Sequence, residues 1–190
     1  MSGVPAGGAA VQAAYIPAMP DAPVSGLISV VVPVFNERES VGPLTDELLA
    51  VLGTLEGDGE IVFVDDGSTD GTAEELDRLA AEHEAVAVVT LRRNFGKAVA
   101  LMTGFGEARG EVIVTIDGDL QDDPAEIPAL LAELDAGADL VSGWKRDRQD
   151  PWSRRAASKV FNGVTAKVTG STLHHLNCGF KAYRAEVVRS

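Results

Sequence analysis

The sequence predicts an open α/β sandwich: a mostly parallel sheet with helices on both faces. Three observations carry this. Short apolar runs rich in β-branched residues alternate with amphipathic helical stretches, the alternation recurs five times, and polar residues follow directly after each apolar run. A chain of 190 residues with 45% hydrophobic and 24% charged residues fits one domain able to bury a sizeable core.

Taken in order, Ile28 to Phe35 reads as a strand, and the stretch from about Ser40 to Leu55 as a helix with Val41, Leu44, Leu48, Val51, Leu52 and Leu55 on one face. The pairs that follow are Ile61 to Val64 with Ala73 to Glu82, Val86 to Leu91 with Lys97 to Ala108, and Val112 to Ile116 with Glu126 to Leu134. A last pair joins Leu140 to Ser142 with a helix from Ser153 to Val168. Nearly continuous apolar strands of this kind are buried on both sides. Residues 1 to about 26, rich in Ala, Gly and Pro, are expected to be a disordered tail outside the fold, and residues 27–190 the folded domain.

Composition removes several classes. The net charge of −13 argues against a nucleic-acid-binding surface. Its distribution is uneven: Met1 to Trp144 holds 6 Lys and Arg against 26 Asp and Glu, a balance of −20, whereas Lys145 to Ser190 holds 10 against 3, a balance of +7. That basic segment is either a solvated helix face or a surface turned toward phosphates. No run approaches the roughly 20 apolar residues of a membrane span. The lone Cys178 can form no internal disulfide, which fits a reducing compartment. His174 and His175 are neighbours that face opposite ways on an extended segment and make a poor metal pair.

Open parallel sheets bind ligands beyond the carboxyl ends of their strands. There the sequence collects Phe35-Asn-Glu37, Asp65-Asp-Gly-Ser68, Arg92-Arg-Asn94, Asp117-Gly-Asp119 and Lys145-Arg146, carboxylates and cations on one rim. Asp117 and Asp119, one residue apart, can point the same way and share one hard cation, Mg²⁺ or Mn²⁺, completed by substrate phosphates. Gly118 between them leaves room for a close ligand approach. Asp66 is assigned to nucleotide recognition and Asp70 to capping the next helix. A likeness of Asp66 to Asp77 to a calcium loop is discounted because a strand, not a helix, precedes it. Gly104 to Gly110 has the wrong spacing for a dinucleotide fingerprint. Asn94 is a candidate N-cap, with Lys97 at the surface.

Together, Pro33-Val-Phe-Asn-Glu37, Val64-Asp-Asp-Gly-Ser-Thr-Asp-Gly-Thr72, Arg93-Asn-Phe-Gly-Lys97, Asp117-Gly-Asp-Leu-Gln-Asp-Asp-Pro124 and Asn177-Cys-Gly-Phe-Lys181 resemble family 2 glycosyltransferases. Within that family, residues 27 to 189 are most similar to dolichyl-phosphate-mannose-synthase-like and bacterial polyprenyl-phosphate enzymes. The resemblance implies a GT-A fold and a metal-dependent hexosyltransferase. It places Pro33, Phe35, Glu37, Val64 and Asp66 around the nucleoside, Asp117 and Asp119 on the metal and diphosphate, and Gln121 near the sugar. Lys145 stands where many relatives carry arginine on the phosphate side, and His175 where many carry aspartate. Relatives usually continue further, so the domain is expected to be C-terminally truncated and to bind donor better than it transfers sugar.

The expected reaction moves a sugar from a UDP- or GDP-sugar to an acceptor. A hydroxyl acceptor needs a base, for which Asp122 is the candidate, whereas a polyprenyl phosphate needs none. Arg146, Arg154 and Arg155, with Trp152 beside them, fit a lipid phosphate and a peripheral contact at the inner face of the cytoplasmic membrane. The alternatives are transfer to a hydroxyl in polysaccharide synthesis and a non-catalytic nucleotide-sugar-binding remnant.

Overall fold

In a computed structural model, residues 10–14, 26–144 and 179–189 are described. The helix expected over Ser153 to Val168, Cys178 and both C-terminal histidines lie outside them.

Among the described residues, seven strands form one sheet: β1 (Ala10–Ala14), β2 (Ile28–Val34), β3 (Gly59–Asp65), β4 (Val86–Thr90), β5 (Val112–Thr115), β6 (Leu140–Trp144) and β7 (Lys181–Arg184). Their spatial order is β1-β6-β7-β5-β2-β3-β4. The pairs β5–β2, β2–β3 and β3–β4 are parallel, as the alternating pattern requires, while β7 runs antiparallel between β5 and β6. Register aligns Val34 with Asp65 and Asp65 with Thr90, so the carboxyl ends of these strands share one rim.

The helices are α1 (Val41–Leu52), α2 (Thr72–Glu82), α3 (Lys97–Glu107), α4 (Ile127–Asp135) and α5 (Ala185–Arg189), with one 3-10 turn at Pro124–Glu126 ahead of α4. Alternation along β2 divides the core. Val30, Val32 and Val34 face the larger cluster with Leu44 and Leu48 of α1, Leu76 of α2 and Leu130 of α4; Val31 faces the smaller one with Ala100 of α3 and Ala185 of α5. In α1 the buried positions Val41, Leu44, Thr45, Leu48 and Leu52 follow helical spacing, and the helix ends at Leu52 with Gly53 as C-cap rather than reaching Leu55.

Two elements depart from the sequence expectation. Ala10–Ala14, placed in the tail, pairs antiparallel with β6 from Ala10↔Trp144 to Ala14↔Leu140. Backbone hydrogen bonds at a sheet edge need no strong side-chain pattern, which is why Ala-Val-Gln-Ala-Ala gave no signal. Four-residue β7 was likewise not foreseen; its place is set by pairing with β5, of which Ile113↔Tyr183 is one step, and by the edge-to-face contact of Tyr183 with Phe105 of α3 at 5.7 Å.

Candidate active site at the carboxyl rim of the sheet

The rim is stitched together by hydrogen bonds between the loops that follow β2 and β3. Asn36 takes a left-handed φ of 58°. Its N–H donates to Ser68 Oγ at 2.8 Å, and its Oδ1 accepts the Thr69 N–H at 2.9 Å. The Glu37 N–H donates to Thr72 Oγ1 at 2.9 Å, and the Glu37 carboxylate accepts from Ser40 Oγ at 3.0 Å. Phe35, at the tip of this loop, is exposed.

The two adjacent aspartates do different work, because neighbours on a strand point to opposite sides. Asp65 is fully buried, and its Oδ1 accepts from the Ser68 N–H and hydroxyl. Asp66 points toward the loop after β4: its two carboxylate oxygens accept the Phe95 and Gly96 N–H groups at 2.7 and 2.8 Å, at the start of α3. A carboxylate at a helix N-terminus meets the positive end of the helix dipole as well as unpaired N–H groups. Gly67, at φ +72°, lets this turn press on the Arg93 backbone, where a Cβ would meet the Arg93 carbonyl carbon at 2.5 Å. The Arg93 guanidinium lies 4.8 Å over the Phe95 ring.

Both expected caps are shifted. The N-cap of α2 is Gly71, and Asp70, one residue earlier, accepts the Thr72 N–H and hydroxyl. The Thr72 hydroxyl, outweighing slight burial and joined by the Thr72 N–H, holds the Asp70 carboxyl below its ordinary range. The N-cap of α3 is Gly96, not Asn94, and the Asp66 carboxylate fixes the turn into the helix through the Phe95 and Gly96 N–H groups.

After β5 the chain presents Asp117, Gly118 and Asp119. Lys97 Nζ, from the first residue of α3, lies 2.5 Å from Asp117 Oδ1. Asp117 also rests against Gly179, where a Cβ would meet its carboxyl carbon at 2.5 Å. Thr115 Oγ1 donates to the Gly179 carbonyl at 2.7 Å, fixing that backbone. Asp119 is exposed, and its Oδ1 accepts the Gln121 N–H at 3.1 Å. A cavity of about 260 Å³ opens among these groups, lined by Pro33, Phe35, Glu37, Asp66, Asn94, Lys97, Asp117, Gly118 and Asp119.

Most residues singled out from the sequence therefore meet in one cavity, and three do not. Val64 is fully buried in the smaller core cluster, inside β3, and does not line the cavity. Gln121 and Asp122 line a different cavity of about 490 Å³, with Glu47 of α1 and Pro124. The physical cause is Leu120, whose left-handed φ of 59° turns the chain after Asp119. Gly118 lines the cavity, but the space of its missing Cβ goes to the Val34 side chain, which a Cβ would meet at 2.6 Å, and not to a ligand. Lys145, Arg146, Arg154 and Arg155 lie outside the described residues. Lys97 and Asn94 are cavity residues that the strand-end position of Arg93-Asn-Phe-Gly-Lys97 signalled without assigning a partner.

Chemically the site can hold a hard cation and an anion. Among the described residues no cluster of three His, Cys, Asp or Glu side chains has metal-binding geometry. Two carboxylates with substrate oxygens filling the remaining positions is the arrangement Mg²⁺ and Mn²⁺ favour over a closed protein cage. The ammonium of Lys97 on Asp117 shows that a positive charge is accommodated there.

The model of glycosyl transferase family 2 matches residues 29–190. An undecaprenyl-phosphate 4-deoxy-4-formamido-L-arabinose transferase of Edwardsiella ictaluri is 41% identical over 165 residues, 86% of this chain and 50% of the relative. A dodecaprenyl-phosphate galacturonate synthase of Rhizobium johnstonii is 40% identical over 171 residues, 88% of this chain and 51% of the relative. The chain thus spans about half the length of these curated relatives. Among solved structures, a mannosyltransferase of Pyrobaculum calidifontis in complex with GDP-Man and Mn²⁺ superposes with a TM-score of 0.64 at 24% identity, covering 94% of this chain and 49% of that one. Glucosyl-3-phosphoglycerate synthase of Mycobacterium tuberculosis with Mn²⁺, UDP and phosphoglyceric acid gives 0.63 at 22% identity, covering 85% and 56%. At these identities the two superpositions show the fold.

Proposed function

The chain belongs to glycosyl transferase family 2 and has its GT-A fold, and from that premise we propose that it binds a nucleotide-diphosphate sugar at the strand-end cavity and transfers the sugar to a polyprenyl phosphate. One observation carries the reading: the cavity brings Asp117, Asp119, Lys97 and Asp66 together beside Pro33 and Phe35. Two polyprenyl-phosphate sugar transferases at about 40% identity support the acceptor class.

In this reaction a phosphate oxygen of the acceptor forms a bond to the anomeric carbon while the bond from that carbon to the diphosphate oxygen breaks, and the nucleoside diphosphate departs with the electron pair. Asp117 and Asp119 would hold Mg²⁺ or Mn²⁺, which when bound neutralises charge on the diphosphate. Exposed Phe35 offers a ring to the base, and Asp66 fixes the loop that forms the opposite wall. An anionic acceptor needs no base. That agrees with the position of Asp122, buried and lining the other cavity. No helix of the described residues is long and apolar enough to cross a membrane. In this reading the chain meets the lipid acceptor at the inner face of the cytoplasmic membrane through the basic segment that includes Arg146, Arg154 and Arg155.

The test is transfer of labelled sugar from UDP- and GDP-sugars to undecaprenyl phosphate in detergent with Mn²⁺ or Mg²⁺. The expected product is a labelled lipid that depends on the metal. Label released only as free sugar, at the same rate with and without lipid, would contradict the acceptor.

A further inference from the structure

We propose that Lys97 holds the place of the divalent cation on Asp117 in the donor-free protein, so that cation and nucleotide diphosphate bind as a coupled pair rather than independently. The inference rests on the reading of the cavity as a donor site and adds a residue that controls the order in which it fills.

Three features of the site lead there. The Lys97 ammonium lies 2.5 Å from Asp117 Oδ1, and a positive charge there repels a Mg²⁺ or Mn²⁺ approaching the same carboxylate, which Mg²⁺ would meet at roughly 2.0–2.1 Å. The Asp117 carboxylate is hemmed in by the Gly179 backbone, which packs so closely that a Cβ there would meet Oδ1, the oxygen that Lys97 engages, before its other atoms. Lys97 itself can move: its side chain is 52% exposed, while its backbone is held at the start of α3 by the Asp66 bond to the neighbouring Gly96 N–H. The cation and the ammonium therefore compete for one carboxylate, and the exposed ammonium is the group with room to swing away.

Its alternative partner follows from charge. A lysine in the first turn of a helix sits at the positive end of the helix dipole, where an anion is the favoured neighbour. Asp117 supplies that anion in the empty cavity. A diphosphate entering the same cavity offers Lys97 a second anionic partner and leaves Asp117 to the metal. Binding of either the metal or the nucleotide then raises affinity for the other, and by linkage the two enhancements are equal.

The experiment titrates Mn²⁺ by electron paramagnetic resonance, with and without UDP or GDP, into wild type, Lys97→Met and Lys97→Arg. Without nucleotide, Lys97→Met is expected to bind Mn²⁺ about two- to fivefold more tightly, the range spanned by an exposed ion pair. Lys97→Arg, which keeps a cation, should stay near wild type. The enhancement of nucleotide affinity by Mn²⁺ should shrink in Lys97→Met, and its metal-free affinity for the nucleoside diphosphate should fall. Equal or weaker Mn²⁺ affinity in donor-free Lys97→Met overturns the proposal, as does an Arg variant that tightens as much as the Met variant. Neither readout requires a sugar or an acceptor. Nucleotide binding with unchanged Mn²⁺ affinity in Lys97→Met removes the competition alone, whereas wild type that binds neither UDP nor GDP removes the donor-site reading with it.

Discussion

Replacing Asp66 by alanine should damage both the fold and nucleotide binding, and the structure gives the size of the effect. The carboxylate is buried and accepts two backbone N–H groups, from Phe95 at 2.7 Å and Gly96 at 2.8 Å. A hydrogen bond to a charged group contributes about 1.5–3 kcal/mol. The two bonds share one carboxylate, and water can reach the exposed Phe95 loop once it is freed, so the loss sits near the low end of their sum, at about 3 kcal/mol. Asparagine keeps one acceptor and sets an NH₂ against the other N–H, which places Asp66→Asn at about 2 kcal/mol. Against a total stability of roughly 5–15 kcal/mol, either is measurable by urea unfolding. The loop so loosened carries Asn94 and Lys97 into the cavity, and affinity for a metal-free nucleoside diphosphate should drop by about tenfold, equivalent to 1.4 kcal/mol of lost preorganisation. Stability of Asp66→Ala within about 0.5 kcal/mol of wild type would refute the clamp. A nucleotide defect that appears only with metal present would instead assign Asp66 to the cation.

Two further substitutions test other parts of the structure. Gly179→Ala puts a methyl group where the Asp117 carboxyl group now rests; overpacking of this kind costs about 1–3 kcal/mol, and calorimetry should show weakened Mn²⁺-dependent nucleotide binding alongside a modest loss of stability. Glu60, whose side chain is 4% exposed, accepts Ser29 Oγ at 2.6 Å and the Arg109 N–H and guanidinium at 2.6 to 2.8 Å. Burial raises its pKa, but the Ser29 hydroxyl, the Arg109 N–H and the guanidinium together hold it below the ordinary 4.5. A depressed carboxyl pKa contributes stability above the unfolded value and loses it as pH falls through the folded one, so Glu60→Gln should cost about 1.5–3 kcal/mol at pH 7. In urea unfolding the gap from wild type should narrow as pH drops below 4.5. A gap independent of pH would contradict the assignment.

The sequence made the rim legible because strand ends are local features: an apolar run stops, and the next polar residues must lie beyond the sheet. Asp117, Asp119, Asp66, Phe35 and Glu37 stand at such ends and line the cavity, as does Pro33, which only the family resemblance singled out. What escaped depends on contacts remote in the chain or on backbone states that composition hides. Lys97 and Asp117 are 20 residues apart and meet only in the fold, where the Lys97 side chain at the start of α3 reaches the loop after β5. Asp122 seemed adjacent to the metal pair, yet the left-handed turn at Leu120, a residue type that rarely adopts it, leads it to another cavity. Both N-caps are glycines, Gly71 at φ +96° and Gly96 at φ +96°, backbone states that a search for polar capping side chains passes over. Strand β7 is four residues long and owes its position to partners on both sides, which no local period records.

The most direct measurement of the donor site is calorimetric titration of UDP and GDP into wild type and Asp119→Asn, each with and without Mn²⁺. Asp119 is exposed and its described hydrogen bond is to the Gln121 N–H, so the substitution should leave stability within about 0.5 kcal/mol. Wild type is expected to bind one of the two nucleotides more tightly with Mn²⁺, and Asp119→Asn to lose most of that enhancement while keeping the metal-free affinity. Equal Mn²⁺ enhancement in the two proteins would contradict the assignment of the cation to Asp117 and Asp119, and with it the account of the cavity as a metal-assisted donor site.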